Sequence, residues 1–376
     1  MIYFDNAATT SPLKEVLDCY LEATRNYPGN SSSTHALGRK SLRALDQARE
    51  SILSTFGLSA THSLIFNSGA TEGNNLAIKG IAHFYSNRGK RIITSLGEHP
   101  SVTNVFKELE SEGFEVIYLP VTSEGKVDPA SLEEAMNNST ILVSIMGVNN
   151  EVGAVNDISK LADIVHKYPK AFFHSDMTQA VGKVKMPYSK VDLFTYSSHK
   201  LGGLRGDGAL IYLKKIKFAP LNDGGGQEGG FRSGTVDVPT ALTQALAIKE
   251  AKKRMQNKIE KVSEITKNLR KSLSELDEVS FNSPVDATPF VLNFSLKHKK
   301  ASVVLEALSQ REIYVSSVSA CSSKGEPISN VLLAMGKSEG DARNSLRLSF
   351  NEDSSLEEAE EFMNNFKEVI ERTINR

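Results

Sequence analysis

Along most of the chain, short apolar runs alternate with segments whose apolar residues recur at helical spacing. Ser63–Phe66, Arg91–Ser95, Glu115–Leu119, Ile141–Met146, Ala171–Phe173, Leu193–Tyr196 and Ala209–Leu213 read as strands. Helices are expected over Thr71–Asn87, over Pro100–Gly113 and over Ile158–Tyr168, the last stopped by Pro169. Leu42, Leu45, Ile52, Leu53 and Phe56 share one face of a further helix from Ser41, with Gly57 as its C-cap. The strands carry continuous apolar runs and do not alternate. That pattern predicts an α/β fold with a mainly parallel sheet covered by helices on both faces.

The pattern changes after Pro239. A long charged helix is expected from about Ala241 to Leu276, then strands at Phe290–Ser295, Ile313–Val315 and Ser345–Phe350. A helix is expected over Ser302–Gln310, and a last one begins at Ser355, where Glu358 completes a capping box. This reads as a smaller α+β domain. The boundary is placed inside the long helix, giving a large domain over residues 13–255 and a small one over 256–376.

Composition narrows the class. The 376 residues are 40% hydrophobic and 24% charged with a net charge of −1, as in an ordinary soluble protein. Nothing argues for direct nucleic-acid binding or for an anionic membrane surface. No apolar run is long enough for a spanning helix, and Met1–Asn6 lacks the basic and apolar regions of a secretory signal. Cys19 and Cys321 are too few for a disulfide framework, so a reducing, cytoplasmic setting is expected. Cys19 lies in an apparent helix, Leu17–Leu21, and reads as a packing residue. No metal site is read.

The candidate chemistry gathers after the strands. Lys200 follows Tyr196-Ser197-Ser198-His199 and precedes Gly202-Gly203, which leave space around it. Asp176 ends an apolar strand, where open α/β sheets bind ligands, and Gln179 follows three residues on. Asp176 can also serve simply as a helix N-cap. The turn Asn67-Ser68-Gly69-Ala70-Thr71-Glu72 opens a helix and offers free N–H groups and a hydroxyl to an anion. An amine nucleophile, a carboxylate for a pyridinium proton and donors for a phosphate are what pyridoxal 5'-phosphate (PLP) requires. His99, after another strand, can stack on a ring or move protons, or be a plain loop histidine. The run from Gly224 to Thr235 is too glycine-rich for a regular element, and Arg232, Ser233 and Thr235 suit it to a cofactor or subunit contact. In Leu346-Arg347-Leu348-Ser349-Phe350, alternation sets Arg347 opposite the leucines, suited to a carboxylate or to a solvated strand face. Cys321 sits in a Ser-rich loop near Lys324, where a thiol tends toward the reactive thiolate.

As a set these motifs resemble the cysteine desulfurases, PLP enzymes of fold type I in the class V aminotransferase family. The resemblance spans essentially the whole chain. It is carried by Phe4-Asp5-Asn6-Ala7-Ala8-Thr9-Thr10, Gly69-Ala70-Thr71-Glu72, Glu98-His99-Pro100, Asn149-Asn150-Glu151-Val152-Gly153, Asp176 with Gln179, Ser198-His199-Lys200, Gly225-Gly226-Gln227-Glu228 and Arg232-Ser233-Gly234-Thr235. Ser319-Ala320-Cys321-Ser322-Ser323 is similar to the NifS/IscS-like group.

The resemblance implies that Lys200 holds PLP as an imine, Asp176 pairs with the pyridinium, Gln179 with the phenolate, and His99 stacks on the ring. Ala70, Thr71, Ser197 and His199 would hold the phosphate, joined by Thr235 from the partner of a homodimer. Asn150 and Arg347 would orient the carboxylate of L-cysteine. Cys321 would take the sulfur, leaving alanine and a persulfide for an acceptor protein, either a tRNA sulfurtransferase or an iron-sulfur scaffold. It also implies that residues 1–12 join the small domain. Other readings are a related PLP lyase or aminotransferase, such as a selenocysteine lyase, and a non-catalytic PLP-fold scaffold. Leu204-Arg205 replaces the Pro-Lys pair common in the family, Asn30-Ser31 replaces Asn-Pro, and the loop from Cys321 to Pro327 is short.

Overall fold

The computed structural model describes residues 1–317 and 328–373. Its first half runs β1 (Ile2–Tyr3), α1 (Lys14–Asn26), α2 (Ala36–Phe56), β2 (His62–Asn67), α3 (Ala70–Phe84), β3 (Arg91–Ser95), α4 (Pro100–Ser111), β4 (Glu115–Leu119), α5 (Pro129–Ala135), β5 (Thr140–Ser144) and α6 (Ile158–Val165). It continues with β6 (Phe172–Asp176), β7 (Leu193–Ser197), β8 (Gly208–Leu213) and the 37-residue α7 (Val238–Ser274). Then come β9 (Val279–Phe281), β10 (Val291–Leu296), α8 (Ala301–Ser309), β11 (Ile313–Tyr314), α9 (Asn330–Ala334), α10 (Glu339–Arg343), β12 (Ser345–Ser349) and α11 (Leu356–Arg372).

Seven strands form the main sheet in the order β2-β8-β7-β6-β5-β3-β4. All run parallel except β8, which is antiparallel to β2 and β7. The cause is the connection. Ser197 at the end of β7 pairs directly with Gly208, so the intervening loop is too short for the crossover that a parallel neighbour needs. Successive residues of each strand point into different apolar layers. Ile93, Val143, Phe173 and Phe194 enter one layer, and Ile92, Leu142, Phe172 and Leu193 enter the other. Two buried faces explain why the strands lack alternation.

A second core gathers Phe4, Leu292, Phe294, Leu346, Leu348, Phe362 and Phe366. Around it, β12-β10-β9 form an antiparallel sheet and β1 pairs with β11. α7 serves both cores: Ala241 to Ala251 pack with the main sheet, Val262 to Leu273 with the second core. The short α9 does not stay with its sequence neighbours, because Val331, Leu332 and Met335 pack into the layer on the main sheet.

Local chemistry sets the element ends. Gly57 closes α2 with φ +75°, and Ser355 and Glu358 form the capping box of α11. α5 is an addition to the sequence reading. Asp128 accepts from the Ala130 N–H and Pro129 takes the first turn, a start signal the Asp-Pro pair already carried. Among the described residues no helix is long and apolar enough to cross a membrane.

Candidate active site

The carboxyl ends of β2, β3, β5, β6 and β7 lie at one edge of the sheet. There they border a cleft of about 410 Å³. His99 after β3, Asn150 after β5, Asp176 and Gln179 at β6, and Ser197, His199 and Lys200 at β7 all line it, with Ala70, Thr71 and Arg347. Asp5, Ala7 and Ala8 of the N-terminal segment close one side. Residues far apart in sequence thus converge because parallel strands deliver all their ends to one edge.

Lys200 stands on a single 3-10 turn directly after β7. The turn is tight: Gly202 has φ +86°, and a Cβ on Gly203 would fall 1.9 Å from Ser198 Oγ. Lys200 Nζ donates to the carbonyls of Ala7 and, at 2.8 Å, Ala8. Asp176 is 6% exposed. Its carboxylate accepts from Asn74 Nδ2 at 2.8 Å and from the Thr178 N–H at 2.9 Å, so it caps the turn and still has acceptor capacity left. Asn74 is itself fixed, by Ser101 Oγ at 2.9 Å and by Thr195 Oγ1. Gln179 donates to the Ala7 carbonyl at 2.9 Å and accepts from Lys183 Nζ at 3.0 Å.

Next to the cleft, a depression of about 270 Å³ is lined by Gly69, Ala70, Thr71, Ser197, His199 and Arg205, with Thr9. It sits on the N-terminus of the 15-residue α3. The first N–H of that helix, on Ala70, already donates to Ser197 Oγ at 2.8 Å, so a hydroxyl oxygen occupies the position that suits an anion. Gly69 at φ +140° permits the turn. His199 Nδ1 meets Thr9 Oγ1 at 3.0 Å, and Thr9 Oγ1 accepts from Arg205 Nε at 3.3 Å. Thr9 Oγ1 thus ties the imidazole to the Arg205 guanidinium and fixes the ring beside the depression. Burial, then Lys200 and Arg205, lower the His199 pKa to about 4, so the ring is a neutral donor near pH 7.

Thr235 stands apart within one chain. It lines a neighbouring depression with Asn67, Ser68, Arg205 and Arg232. The Gly-rich segment before it is pinned, because Glu228 accepts from Arg49 at 2.8 Å and from the Phe66 N–H at 2.8 Å. Arg232 pairs with Glu72 of α3 at 2.8 Å.

At the other end of the cleft, Arg347 is 7% exposed on β12, opposite the buried Leu346 and Leu348. The solvated-face reading of this strand does not hold. Its guanidinium already grips a carboxylate, Asp5 at 2.8 Å, and donates to the Asn150 carbonyl at 3.0 Å. Its buried Nε has no partner among the described residues. Asn149 shapes the turn that presents Asn150 by accepting from the Glu151 and Val152 N–H groups. Burial pushes the Glu151 carboxyl up to about 7, against the opposing pull of a hydrogen bond from Ser329 and of the Arg347 charge.

His99 is both the N-cap of α4 and a cleft residue, accepting at Nδ1 from the Ser101 N–H at 3.1 Å. Burial holds its pKa below the usual value, with Asp176 opposing and Lys200 assisting. Behind it Glu98 is 5% exposed and raised to about 8 by burial, which outweighs its hydrogen bonds from the Met146 N–H and Ser95 Oγ.

Asn74, Ser101, Asp5 and Lys183 belong to this site and were not singled out from the sequence. A polar Asn74 on an otherwise apolar helix face was the one available signal; the others depend on contacts between distant segments. Cys321 lies outside the described residues, and Ser316 and Ser317, the last residues described before it, line the cleft. Among the described residues no cluster of His, Cys, Asp or Glu could hold a metal ion. The donor set suits PLP: an amine, a buried carboxylate with spare acceptor capacity, an imidazole and a helix N-terminus meet in one space.

The chain matches the family described as aminotransferase class-V over residues 2–362. It is 39% identical over 99% of its length to a NifS/IcsS protein homolog of Lactobacillus delbrueckii subsp. bulgaricus, covering 97% of that protein. It is 38% identical over its full length to the cysteine desulfurase IscS of Dictyoglomus turgidum, covering 95% of it. Among solved structures, a NifS-like protein superposes with a TM-score of 0.91 at 32% identity, covering 98% of this chain and 99% of the other.

Proposed function

We propose that this chain, which belongs to the aminotransferase class-V family, removes sulfur from L-cysteine, giving L-alanine and a persulfide on Cys321. Enzymes of this family use PLP, and this chain is a PLP enzyme. The observation that carries the proposal is the meeting of Lys200, Asp176, His99, Asn150 and Arg347 in one cleft. When bound, the cofactor supplies an electron sink that weakens the bonds around the α-carbon of an amino acid.

The residues then divide the work. Lys200 would hold the cofactor through its amine, and the same amine is placed to carry the α-proton. Asp176 keeps the proton on the pyridine nitrogen, and Asn74 and Thr178 hold the carboxylate in place for it. His99 covers the ring. Ser197, His199, Thr71 and the α3 N-terminus hold the phosphate, and Thr235 reaches the same group in a partner subunit. Arg347 and Asn150 take the substrate carboxylate, which exchanges with Asp5 at the guanidinium. The Cys321 thiolate takes the sulfur atom; the electron pair of the broken C–S bond stays with carbon, which is protonated and leaves as alanine. The sulfur passes on to an acceptor protein that serves tRNA thiolation or iron-sulfur cluster assembly. We place this homodimeric enzyme in the cytoplasm.

The test is optical. Purified protein loaded with PLP should be yellow, and L-cysteine should shift its visible spectrum. A protein that neither colours with PLP nor responds to L-cysteine would overturn the reading.

Arg347→Lys keeps the charge but loses the fork that reaches two acceptors at once. We expect kcat/KM for L-cysteine to fall by the equivalent of about 1–3 kcal/mol, the scale of a charged hydrogen bond. An unchanged kcat/KM would remove Arg347 from substrate binding.

A further inference from the structure

Lys183 is 4% exposed and has no acidic partner among the described residues. Its amine makes one hydrogen bond there, donating to Gln179 Oε1 at 3.0 Å. A buried amine without a counter-charge opposes folding. Burial holds it well below the ordinary lysine value, and Lys200, Lys258 and Arg347 push the same way. Its backbone is not free to withdraw. Gly182 has φ +72°, and a Cβ there would come within 2.8 Å of Ala251 Cβ on α7. The Lys183 N–H donates to the Ala180 carbonyl at 3.0 Å.

The one contact of Lys183 falls on a side chain with an orientation to settle. The two ends of a carboxamide have nearly the same shape and opposite polarity, so only neighbours decide which way it points. The Ala7 carbonyl can only accept, and it draws the Gln179 NH₂ at 2.9 Å. That carbonyl also accepts from Lys200, so its hold on Gln179 is shared. The Lys183 N–H groups act from the other side and draw the carboxamide oxygen.

We propose that Lys183 is a positioning residue: it pins the Gln179 carboxamide with its NH₂ edge toward Ala7 and the cleft, giving the cofactor's phenolic oxygen a fixed donor. This rests on the reading that PLP binds Lys200 in this cleft. A donor on that oxygen weakens its hold on the proton of the Lys200 nitrogen, so the bound chromophore should lose that proton at lower pH.

The test uses PLP-loaded protein with Lys183→Met, which keeps the length and removes the donor. Lys183→Leu serves if the thioether does not pack. Visible absorbance is titrated with pH, PLP affinity is measured by equilibrium dialysis, and thermal unfolding of the cofactor-free protein is followed alongside. We expect the chromophore midpoint to rise by about one pH unit and PLP to bind about tenfold more weakly, the scale of one buried hydrogen bond. The cofactor-free protein should unfold no earlier than wild type. In a Gln179→Ala background the same Lys183 change should shift neither midpoint nor affinity further. A wild-type midpoint and affinity in the Lys183 variant overturn the proposal, whatever happens to unfolding. An equal shift in both backgrounds also overturns it, since the amine would then act by charge and not through Gln179. Wild-type protein that forms no chromophore on Lys200 would instead refute the underlying reading.

Discussion

Lys200→Ala leaves a folded protein that no longer fixes PLP and has no measurable turnover. Among the described residues Lys200 is the lysine that lines the cleft, on a turn held by Gly202 and Gly203 at the end of β7. Its hydrogen bonds run to the Ala7 and Ala8 carbonyls, contacts an amine can leave to form a covalent link. A second buried lysine, Lys183, is engaged with Gln179. If Lys200 is both the covalent anchor and the base for the α-proton, as proposed, the loss should be on the order of 10⁴-fold or more. The phosphate cradle stays, so PLP should still bind, reversibly. Borohydride treatment followed by peptide mass analysis checks this directly. Cofactor fixed to Lys200 in the wild type and to no lysine in the variant is expected; cofactor fixed to Lys183 in either would contradict the assignment.

Cys321→Ser should separate binding from sulfur transfer. Lys200, Asp176 and Arg347 are untouched, so the variant should colour with PLP and respond spectrally to L-cysteine as wild type does. A hydroxyl is a far poorer nucleophile toward sulfur than a thiolate, so sulfide release should fall to the level of the cofactor-free protein. Mass spectrometry of the wild type after L-cysteine should show one added sulfur on the Cys321 peptide. Wild-type sulfide release by the variant would mean that another group receives the sulfur.

The main sheet was legible because both its faces are buried. Adjacent apolar pairs such as Ile92 with Ile93 and Phe172 with Phe173 break the alternation of a half-buried strand, a pattern visible in one dimension. The antiparallel run of β8 was not read from the sequence, although the short stretch between Ser197 and Gly208 leaves no room for a crossover. Helix ends were readable where a cap is chemical, as at Gly57 and Ser355, and drifted where no glycine or capping side chain marks the end, as at Phe84.

The site divides in the same way. Asp176 ends a strand and His99 and Lys200 follow strands, so position made them candidates and the family resemblance gave them roles. Asn74 and Ser101 were hidden because their partners lie on other elements, as with the 2.8 Å bond from Asn74 to Asp176. The pairing of Asp5 with Arg347 joins residues 342 apart in sequence, beyond any local pattern. Asp176 does both jobs that the sequence reading had set against each other, capping a turn and facing the cleft, and His99, read only as a site or loop histidine, also starts α4.

The central claim is that this cleft takes sulfur from L-cysteine. Alanine and sulfide should be measured together from PLP-loaded protein supplied with L-cysteine and a thiol reductant. Alanine and sulfide released in equal amounts, with no 2-oxo acid, is the expected result. A 2-oxo acid in place of alanine, or alanine without sulfide, would contradict it.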